Sequence, residues 1–250
     1  MSFLDQNSQK ISKTKGNGLS IEEWLAYAPP ESLEYFMYQS PRRANQAPFF
    51  DVIPRYVDDY FAHLKAFSEQ TPAQQIKNPV WHVHQGSVPS IKLPLSFHML
   101  LNLASVCHAE DKAVLCGFIA RYAPGASPET MPVLDQLAGY AIRYNKDFVA
   151  PHIKYKSPDE MEEMALKDLL EALGSMKMTP EPDKLQELLY EIGKRYSFAD
   201  LRAWFHNLYQ LLLGQEEGPR MGSFISLYGI EETRILIQEV LQQKKSRMSF

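Results

Sequence analysis

Apolar positions recur at intervals of three and four along most of the chain, which is the spacing of amphipathic helices. Between residues 52 and 67, for example, Val52, Tyr56, Tyr60, Leu64 and Phe67 fall on or near one helical face. Proline, glycine and serine interrupt the pattern at intervals. The pattern predicts helices at residues 20–27, 30–38, 52–67, 71–78, 96–106, 113–122, 129–150, 158–173, 182–194, 198–213, 222–228 and 230–243.

Helix-start signals support several of these elements. Ser20 stands three residues before Glu23, the spacing of a capping box. Ser157 and Glu160 show the same spacing, and Pro158 between them suits the first helical position. We therefore expect helices that begin after each serine.

Three further local features follow from the sequence. Ser197 and Gly214 are predicted to be the N-cap and C-cap of the helix at 198–213. The acidic run at 159–163 is expected to form a solvated face. Prolines and an alternating pattern at 79–94 predict an irregular excursion rather than a helix.

The predicted fold class is all-α, since no βαβ alternation and no repeat of fixed period appears. A break near Pro151 suggests a subdomain boundary there. The predicted organisation has three regions, an N-terminal loop at 1–19, a first helical region at 20–150 and a C-terminal helical region at 151–250.

Composition narrows the function. Lysine and arginine total 26 against 30 aspartates and glutamates, and the net charge of −4 excludes a nucleic-acid interface built on bulk basicity. Any such interface must be a local patch. The apolar stretches are too short for a membrane span and the N-terminus lacks a signal-peptide pattern, so we expect a cytoplasmic protein without a membrane partner.

Metal binding is not expected. Cys107 and Cys116 are the two cysteines, and reduced core thiols are the favoured interpretation over a disulfide or a metal pair. His82, His84 and His108 are further possible ligands, but their spacing matches no zinc pattern.

The loop at residues 10–17, KISKTKGN, carries the chemistry that the sequence suggests. This string is a close variant of the KMSKS signature of class I aminoacyl-tRNA synthetases. The resemblance implies that the mobile ammonium groups of Lys10 and Lys13 meet negative charge that develops on the phosphates of ATP during adenylate formation. Hydroxyls of Ser12 and Thr14 can donate to phosphate oxygens, and Gly16 lets the loop change shape.

Further strings make the resemblance specific. The chain resembles class I lysyl-tRNA synthetases at residues 18–25 (GLSIEEWL), 27–33 (YAPPESL), 50–55 (FDVIPR), 218–225 (GPRMGSFI) and 227–232 (LYGIEE). The resemblance therefore covers nearly the whole chain, from the signature loop onward.

That resemblance implies a fold and an activity. It implies that the loop is followed by a helical stem-contact region and by an α-helical-cage anticodon-binding domain similar to that of glutamyl-tRNA synthetases. The implied activity is lysine–tRNA ligation from L-lysine, tRNA-Lys and ATP with Mg²⁺. Lys10, Ser12 and Lys13 are the implied catalytic residues, and these three with Thr14 are the implied ATP contacts.

In this family the HIGH-type nucleotide signature and the lysine pocket lie upstream of the loop. We therefore expect the chain to be a fragment that cannot activate lysine alone and that holds no tightly bound cofactor. Two alternatives stay open: a freestanding synthetase-like module that binds tRNA or a protein, and a helical scaffold without RNA affinity. DNA is not an expected partner.

Local clusters of positive charge are the candidate tRNA contacts. They are Arg42 with Arg43, Lys154 with Lys156, and Arg220. The alternative for each is a solvated helix end, the interpretation favoured for the further clusters at 194–195 and 244–247. Residues 45–48 (NQAP) replace the lysines and arginines that relatives tend to carry there, which weakens the case for a backbone contact.

Arg220 is the first candidate for reading the anticodon, because its turn precedes a helix N-terminus with free N–H donors. Tyr155, Trp204 and Phe224 are candidates for base stacking. Trp204 shares a helix face with several leucines, so core packing is the favoured interpretation for it.

Overall fold

The computed structural model describes residues 19–39, 50–176 and 181–247, with side chains as far as residue 242. The predicted all-α class is confirmed, since the described ranges contain helices and no strand. The helices are α1 (Ile21–Tyr27), α2 (Pro30–Gln39), α3 (Ile53–Phe67), α4 (Pro72–Gln75), α5 (Pro79–Val83), α6 (Phe97–Val106), α7 (Lys112–Tyr122), α8 (Pro132–Tyr144), α9 (Glu160–Gly174), α10 (Pro182–Arg195), α11 (Leu201–Leu208), α12 (Met221–Tyr228) and α13 (Ile230–Arg247).

Short 3₁₀ and π-helical turns adjoin several of these α-helices. Single 3₁₀ turns cover Phe50–Val52 and Ala150–His152. π-helical turns cover Asn145–Val149, directly after α8, and Tyr209–Leu213, directly after α11. The pattern at 198–213 predicted one continuous α-helix, so the π turn is a local correction to it.

Capping explains where several helices begin. The Ser20 hydroxyl accepts from the Glu23 N–H at 3.1 Å, and the Glu23 carboxylate accepts from the Ser20 N–H at 2.7 Å, which confirms the predicted box. Asp58 on α3 caps α6 from a distance of 39 residues, because its carboxylate accepts the backbone N–H of Phe97 at 2.5 Å and of His98 at 3.1 Å.

Two predicted N-caps are wrong. Asp159, not Ser157, caps α9, with its carboxylate accepting the Glu162 N–H at 2.8 Å in a complete capping box. Asp200, not Ser197, caps α11 by accepting the Ala203 N–H at 2.7 Å. The acceptor that forms the cap lies two residues after the predicted one in α9 and three residues after it in α11.

The segment at 79–94 is only partly irregular. Pro79 occupies the first turn of α5, and the Asn78 side chain caps that helix by accepting the Val80 N–H at 3.2 Å. The irregular excursion therefore begins after α5 rather than at Pro79, and residues 88–96 contain no helix.

The contacts group the chain into two compact units, each discontinuous in sequence. The first comprises Met1–Leu100 with Met131–Tyr144, and the second comprises Leu101–Thr130 with Asn145–Phe250. The three regions predicted from the sequence, with a boundary near Pro151, stay a prediction.

In the first unit, α1 packs against α8, and α2 packs against α3 and α5. Trp24 is fully buried and its indole N–H donates to the Ser32 hydroxyl at 3.0 Å. Tyr35 and Tyr60 belong to a second buried cluster. The aromatic stripe that predicted α3 is thus core, as expected.

In the second unit, α10 packs closely against α12, α9 against α13, and α7 against α12. Trp204 is fully buried, and its indole N–H donates to the Leu189 carbonyl at 3.0 Å. Gly193 makes room for this ring, because a Cβ there would lie 2.5 Å from Trp204 Cδ1. In the part of the chain that is described, no helix combines the length and the apolar character needed to cross a membrane.

Candidate nucleic-acid interface

Only part of the predicted site lies within the described residues. Lys10, Ser12, Lys13 and Thr14 of the signature loop lie outside them, as do Arg42 and Arg43. The remaining candidates are Arg220, Lys154 and Lys156, all in the second unit. Their roles in RNA binding stay predictions, but their surroundings are defined.

Arg220 is the N-cap residue of α12 and lies at the surface. Its Nη1 atom is 2.6 Å from Oδ1 of Asp183, and the two side chains are 54% and 74% exposed. An ion pair this exposed contributes about 0–1 kcal/mol to stability. The guanidinium can therefore exchange Asp183 for a phosphate or a base edge at small cost.

The turn before Arg220 is fixed by Tyr209, the first residue of the second π turn. The Tyr209 hydroxyl donates to the Pro219 carbonyl at 2.9 Å. Gly218 lies against the same ring, since a Cβ there would be 2.7 Å from Tyr209 Cδ1. The Gly-Pro-Arg turn is thus held in place before any ligand arrives.

Gly222 has a packing role. A Cβ at this position would lie 2.5 Å from the Pro182 carbonyl oxygen and 2.6 Å from the Gln186 backbone nitrogen, so only glycine allows α12 to approach α10 this closely. Its N–H donates to Gln186 Oε1 at 2.9 Å. The expectation of free N–H donors after Arg220 is therefore wrong at Gly222.

Lys154 and Lys156 lie on a segment that is hydrogen-bonded along the second π turn. The Lys154 N–H donates to the Gly214 carbonyl at 3.0 Å, and the Lys156 N–H donates to the Gln210 carbonyl at 3.2 Å. A helix C-terminus carries partial negative charge, which favours lysines nearby. Gly214 has a φ of 66° and ends this turn, as predicted for a C-cap.

The two lysine side chains differ. The Lys156 ammonium is 2.5 Å from Oε1 of Glu162 and 3.2 Å from Oδ1 of Asn207. Glu162 is buried, so the prediction of a solvated acidic face is wrong for this residue. Lys154 is exposed, and no ion-pair partner for its ammonium occurs among the described residues.

The three candidate stacking residues also differ in solvent exposure. Trp204 and Phe224 are 0% and 1% exposed, so both are core residues and neither can stack on a base. Core packing of Trp204 is confirmed. Tyr155 is 42% exposed. Its exposed ring is thus the member of the trio that a nucleic acid can reach.

A cavity of about 640 Å³ in the second unit was not indicated by any motif. Its lining includes Arg121 and the three carboxylates of Glu181, Glu231 and Glu232. Arg121 Nη1 is 2.6 Å from Oε1 of Glu232. Because the carboxylates outnumber the guanidinium, this cavity is a poor place for a phosphate backbone.

The two cysteines lie in the second unit. Cys107 and Cys116 are both half-buried and form no disulfide. Burial raises the pKa of Cys107 to about 12, with Arg121 lowering it and Glu232 raising it by smaller amounts. No cluster of three or more His, Cys, Asp or Glu side chains suited to a metal ion occurs among the described residues.

Comparison with known proteins confirms the resemblance seen in the sequence. A family model described as tRNA synthetases class I (K) matches residues 2–87. The lysine–tRNA ligase of Rickettsia rickettsii (strain Sheila Smith) is 48% identical over 238 residues, which is 94% of this chain and 45% of that protein.

Other relatives agree. The lysine–tRNA ligase of Roseobacter denitrificans (strain ATCC 33942 / OCh 114) is 50% identical over 96% of this chain and 45% of that protein. That of Rickettsia akari (strain Hartford) is 48% identical over 94% of the chain and 45% of the protein. The chain thus spans slightly less than half the length of these curated relatives.

Proposed function

Because the chain belongs to the class I lysyl-tRNA synthetase family, we propose that its residues supply the tRNA-recognition part of a lysine–tRNA ligase. The whole enzyme would join L-lysine to tRNA-Lys in two steps with ATP and Mg²⁺. The described helices of the second unit would form the anticodon-binding region, similar to the helical cage of glutamyl-tRNA synthetases. The relatives carry the name lysine–tRNA ligase, and we propose a role in that activity for the part of those proteins that this chain matches.

The observation that carries the proposal is the placement of Arg220. Its guanidinium is half-exposed on a turn whose backbone is held by Tyr209, and Asp183 is its weakly bound surface partner. A preorganised turn loses little conformational freedom when it binds, so more of the contact energy appears as affinity. Guanidinium groups suit both stacking on unpaired bases and bidentate hydrogen bonding to phosphates or base edges.

The signature loop supports the ligase assignment by its residue types. We propose that Lys10 and Lys13 stabilise the negative charge that develops on the α-phosphate and the leaving pyrophosphate. Ser12 and Thr14 would donate hydrogen bonds to phosphate oxygens. These groups need an ATP pocket to close upon, and we expect the 250 residues alone not to catalyse lysine-dependent pyrophosphate exchange. Measurable exchange by this chain would contradict that expectation.

Equilibrium binding to tRNA tests the recognition proposal. The chain is titrated with tRNA-Lys transcripts that carry the natural anticodon or single anticodon substitutions, at two salt concentrations. We expect anticodon substitutions to weaken binding by about 1–3 kcal/mol and higher salt to weaken all binding. Arg220→Ala should remove much of the discrimination.

Arg195→Ala is the matched control for Arg220→Ala. Arg195 is also half-exposed and ion-paired, 3.1 Å from Asp168, but it lies at the C-terminal end of α10. Equal binding of all tRNAs, or no binding, would contradict the proposal and favour a protein-binding or scaffold role. Loss of discrimination in both arginine variants would point to a general charge effect instead.

A further inference from the structure

We propose that Tyr155 is a platform on which an unpaired base of the tRNA anticodon loop stacks, with the Lys154 ammonium meeting the adjoining phosphate. This inference rests on the proposed function and names a residue for it. Single-stranded RNA is commonly bound by an aromatic ring beside a positive charge, because every base offers a π face and every nucleotide a phosphate.

The ring of Tyr155 packs against the backbone of Gly214. A Cβ added to Gly214 would lie 3.3 Å from Cδ1 and from Cε1 of the Tyr155 ring, so the ring rests on the glycine. Gly214 is buried, whereas Tyr155 remains 42% exposed. The ring is therefore both held and accessible.

The residues on either side of Tyr155 are anchored. The Lys154 N–H donates to the carbonyl of Gly214, which ends the second π turn, at 3.0 Å, and the Lys156 N–H donates to the carbonyl of Gln210 within that turn at 3.2 Å. The Lys156 ammonium is also tied to buried Glu162. Lys156 thus positions the segment, while exposed Lys154 supplies charge. A fixed aromatic ring loses little entropy when a base stacks on it.

Electrostatics at the hydroxyl are compatible with this role. Burial of part of the ring, followed by the nearby carboxylate of Glu239, raises the pKa of Tyr155 above the ordinary tyrosine value, at which the hydroxyl is already protonated at neutral pH. A neutral phenol adds no negative charge against the RNA.

Tyr190 provides a matched comparison within the same unit. It is 41% exposed, almost the same as Tyr155, but it lies on α10 and its ring packs edge-on against Phe205 at 5.2 Å. Its neighbours on that helix are Glu187, Glu191 and Lys194. Leu189 and Glu191 flank Tyr190, so no lysine stands next to this ring in the sequence as Lys154 does next to Tyr155.

The test uses a stem-loop RNA with the tRNA-Lys anticodon arm, carrying the fluorescent base 2-aminopurine at one loop position at a time. The full 250-residue chain is titrated as wild type, Tyr155→Leu, Tyr155→Phe and Tyr190→Leu. Stacking on an aromatic ring quenches the fluorescence. Loss of one stacked base corresponds to about a 5- to 150-fold weaker affinity.

We expect wild type and Tyr155→Phe to quench the probe at one loop position, and Tyr155→Leu to lose both that quenching and affinity. Tyr190→Leu should bind as wild type does. Unchanged quenching by Tyr155→Leu would overturn the platform. An unfolding midpoint for Tyr155→Leu equal to that of wild type shows that lost quenching is not lost folding.

The outcomes separate this inference from the proposed function. If the wild-type chain discriminates between anticodons while Tyr155→Leu behaves like wild type, the platform is wrong and the recognition function stands. If the wild-type chain binds no tRNA-Lys, the function fails and the platform with it. Quenching lost equally in Tyr190→Leu would also overturn the proposal, because the effect would not be specific to Tyr155.

Discussion

The Lys156 ammonium lies 2.5 Å from the Glu162 carboxylate, whose side chain is 1% exposed. The same carboxylate accepts the Asp159 N–H at 2.9 Å and so completes the capping box of α9. One buried group thereby connects the start of a helix to the segment that carries Tyr155. The lysine of this pair is 37% exposed, so its ammonium is only partly removed from water.

Replacing Lys156 should destabilise the fold. Lys156→Met keeps the aliphatic stem but leaves a buried carboxylate without its cation, and we expect a loss of about 1–3 kcal/mol in the free energy of unfolding. Urea denaturation measures it. Lys167→Met is the control, because its pair with Glu163 is exposed and of the i,i+4 type, worth about 0.3–0.5 kcal/mol. Equal effects of the two variants would contradict the assigned role of Glu162.

Adding a methyl group to Gly222 should separate α12 from α10. The new Cβ would lie 2.5 Å from the Pro182 carbonyl oxygen, and a backbone atom cannot move aside cheaply. We expect Gly222→Ala to lower the free energy of unfolding by about 1–3 kcal/mol despite alanine's better helix propensity.

Gly117→Ala is the matched control for Gly222→Ala. Gly117 lies within α7, and a Cβ there would meet nothing within 4 Å. Since the methyl group only improves helix propensity, this variant should gain about 0.5–1 kcal/mol. Thermal or urea unfolding of both variants decides the matter, and a stabilised Gly222→Ala protein would show that the interhelical contact is looser than described.

The Cys107 thiol should make the fold less stable at alkaline pH. Burial raises its pKa to about 12 in the folded state, whereas an unfolded cysteine has a pKa of about 8.5. Below that value both states hold the proton. Above it the unfolded state alone loses the proton, so the free energy of unfolding falls by up to about 1.4 kcal/mol per pH unit.

Urea denaturation at pH 8 and pH 10, under reducing conditions, measures this contribution. Cys107→Ala should lose less stability between the two pH values than wild type does, while Cys116→Ala should retain the Cys107 contribution. Parallel losses in wild type and Cys107→Ala would show that the thiol does not titrate differently in the two states. Tyrosines whose raised pKa does not involve Cys107, such as Tyr35 at about 12, contribute to both proteins alike.

The sequence predicts the helices well and their starts less well, for a physical reason. Ser157 with Glu160 and Asp159 with Glu162 both satisfy the spacing of a capping box, so local pattern alone does not choose between them. The Asp159–Glu162 capping box forms, and the Glu162 carboxylate also makes an ion pair with Lys156 in the folded chain. Tertiary contacts of this kind are not encoded in local spacing.

The candidate site, like the helix starts, was only partly predictable from the sequence. Exposed basic residues and the Gly-Pro-Arg-Met-Gly string were visible in the sequence, and Arg220 lies at the surface as a contact residue must. The two glycines of that string serve packing, against Tyr209 and against α10. The partners that fix the turn carry no motif of their own: Tyr209 comes from the preceding π turn, and Gln186 comes from α10, 36 residues before Gly222.

Removing the surface partner of Arg220 should strengthen tRNA binding. In Asp183→Asn the guanidinium no longer has a carboxylate 2.6 Å away, and one negative charge leaves the site. Because an exposed pair is worth about 0–1 kcal/mol, we expect affinity for tRNA-Lys to rise by about 2- to 5-fold, with little change in stability. The increase should shrink at higher salt and vanish when Arg220→Ala is added.

Asp168→Asn is the control, since it frees the guanidinium of Arg195 in the same way while leaving Arg220 paired. Filter binding or fluorescence anisotropy with tRNA-Lys at low salt compares the two variants. If both raise affinity equally, the gain reflects net charge and not the position of Arg220. If Asp183→Asn lowers affinity, the aspartate itself holds Arg220 in the orientation that binds RNA, and Asp183 belongs to the recognition site.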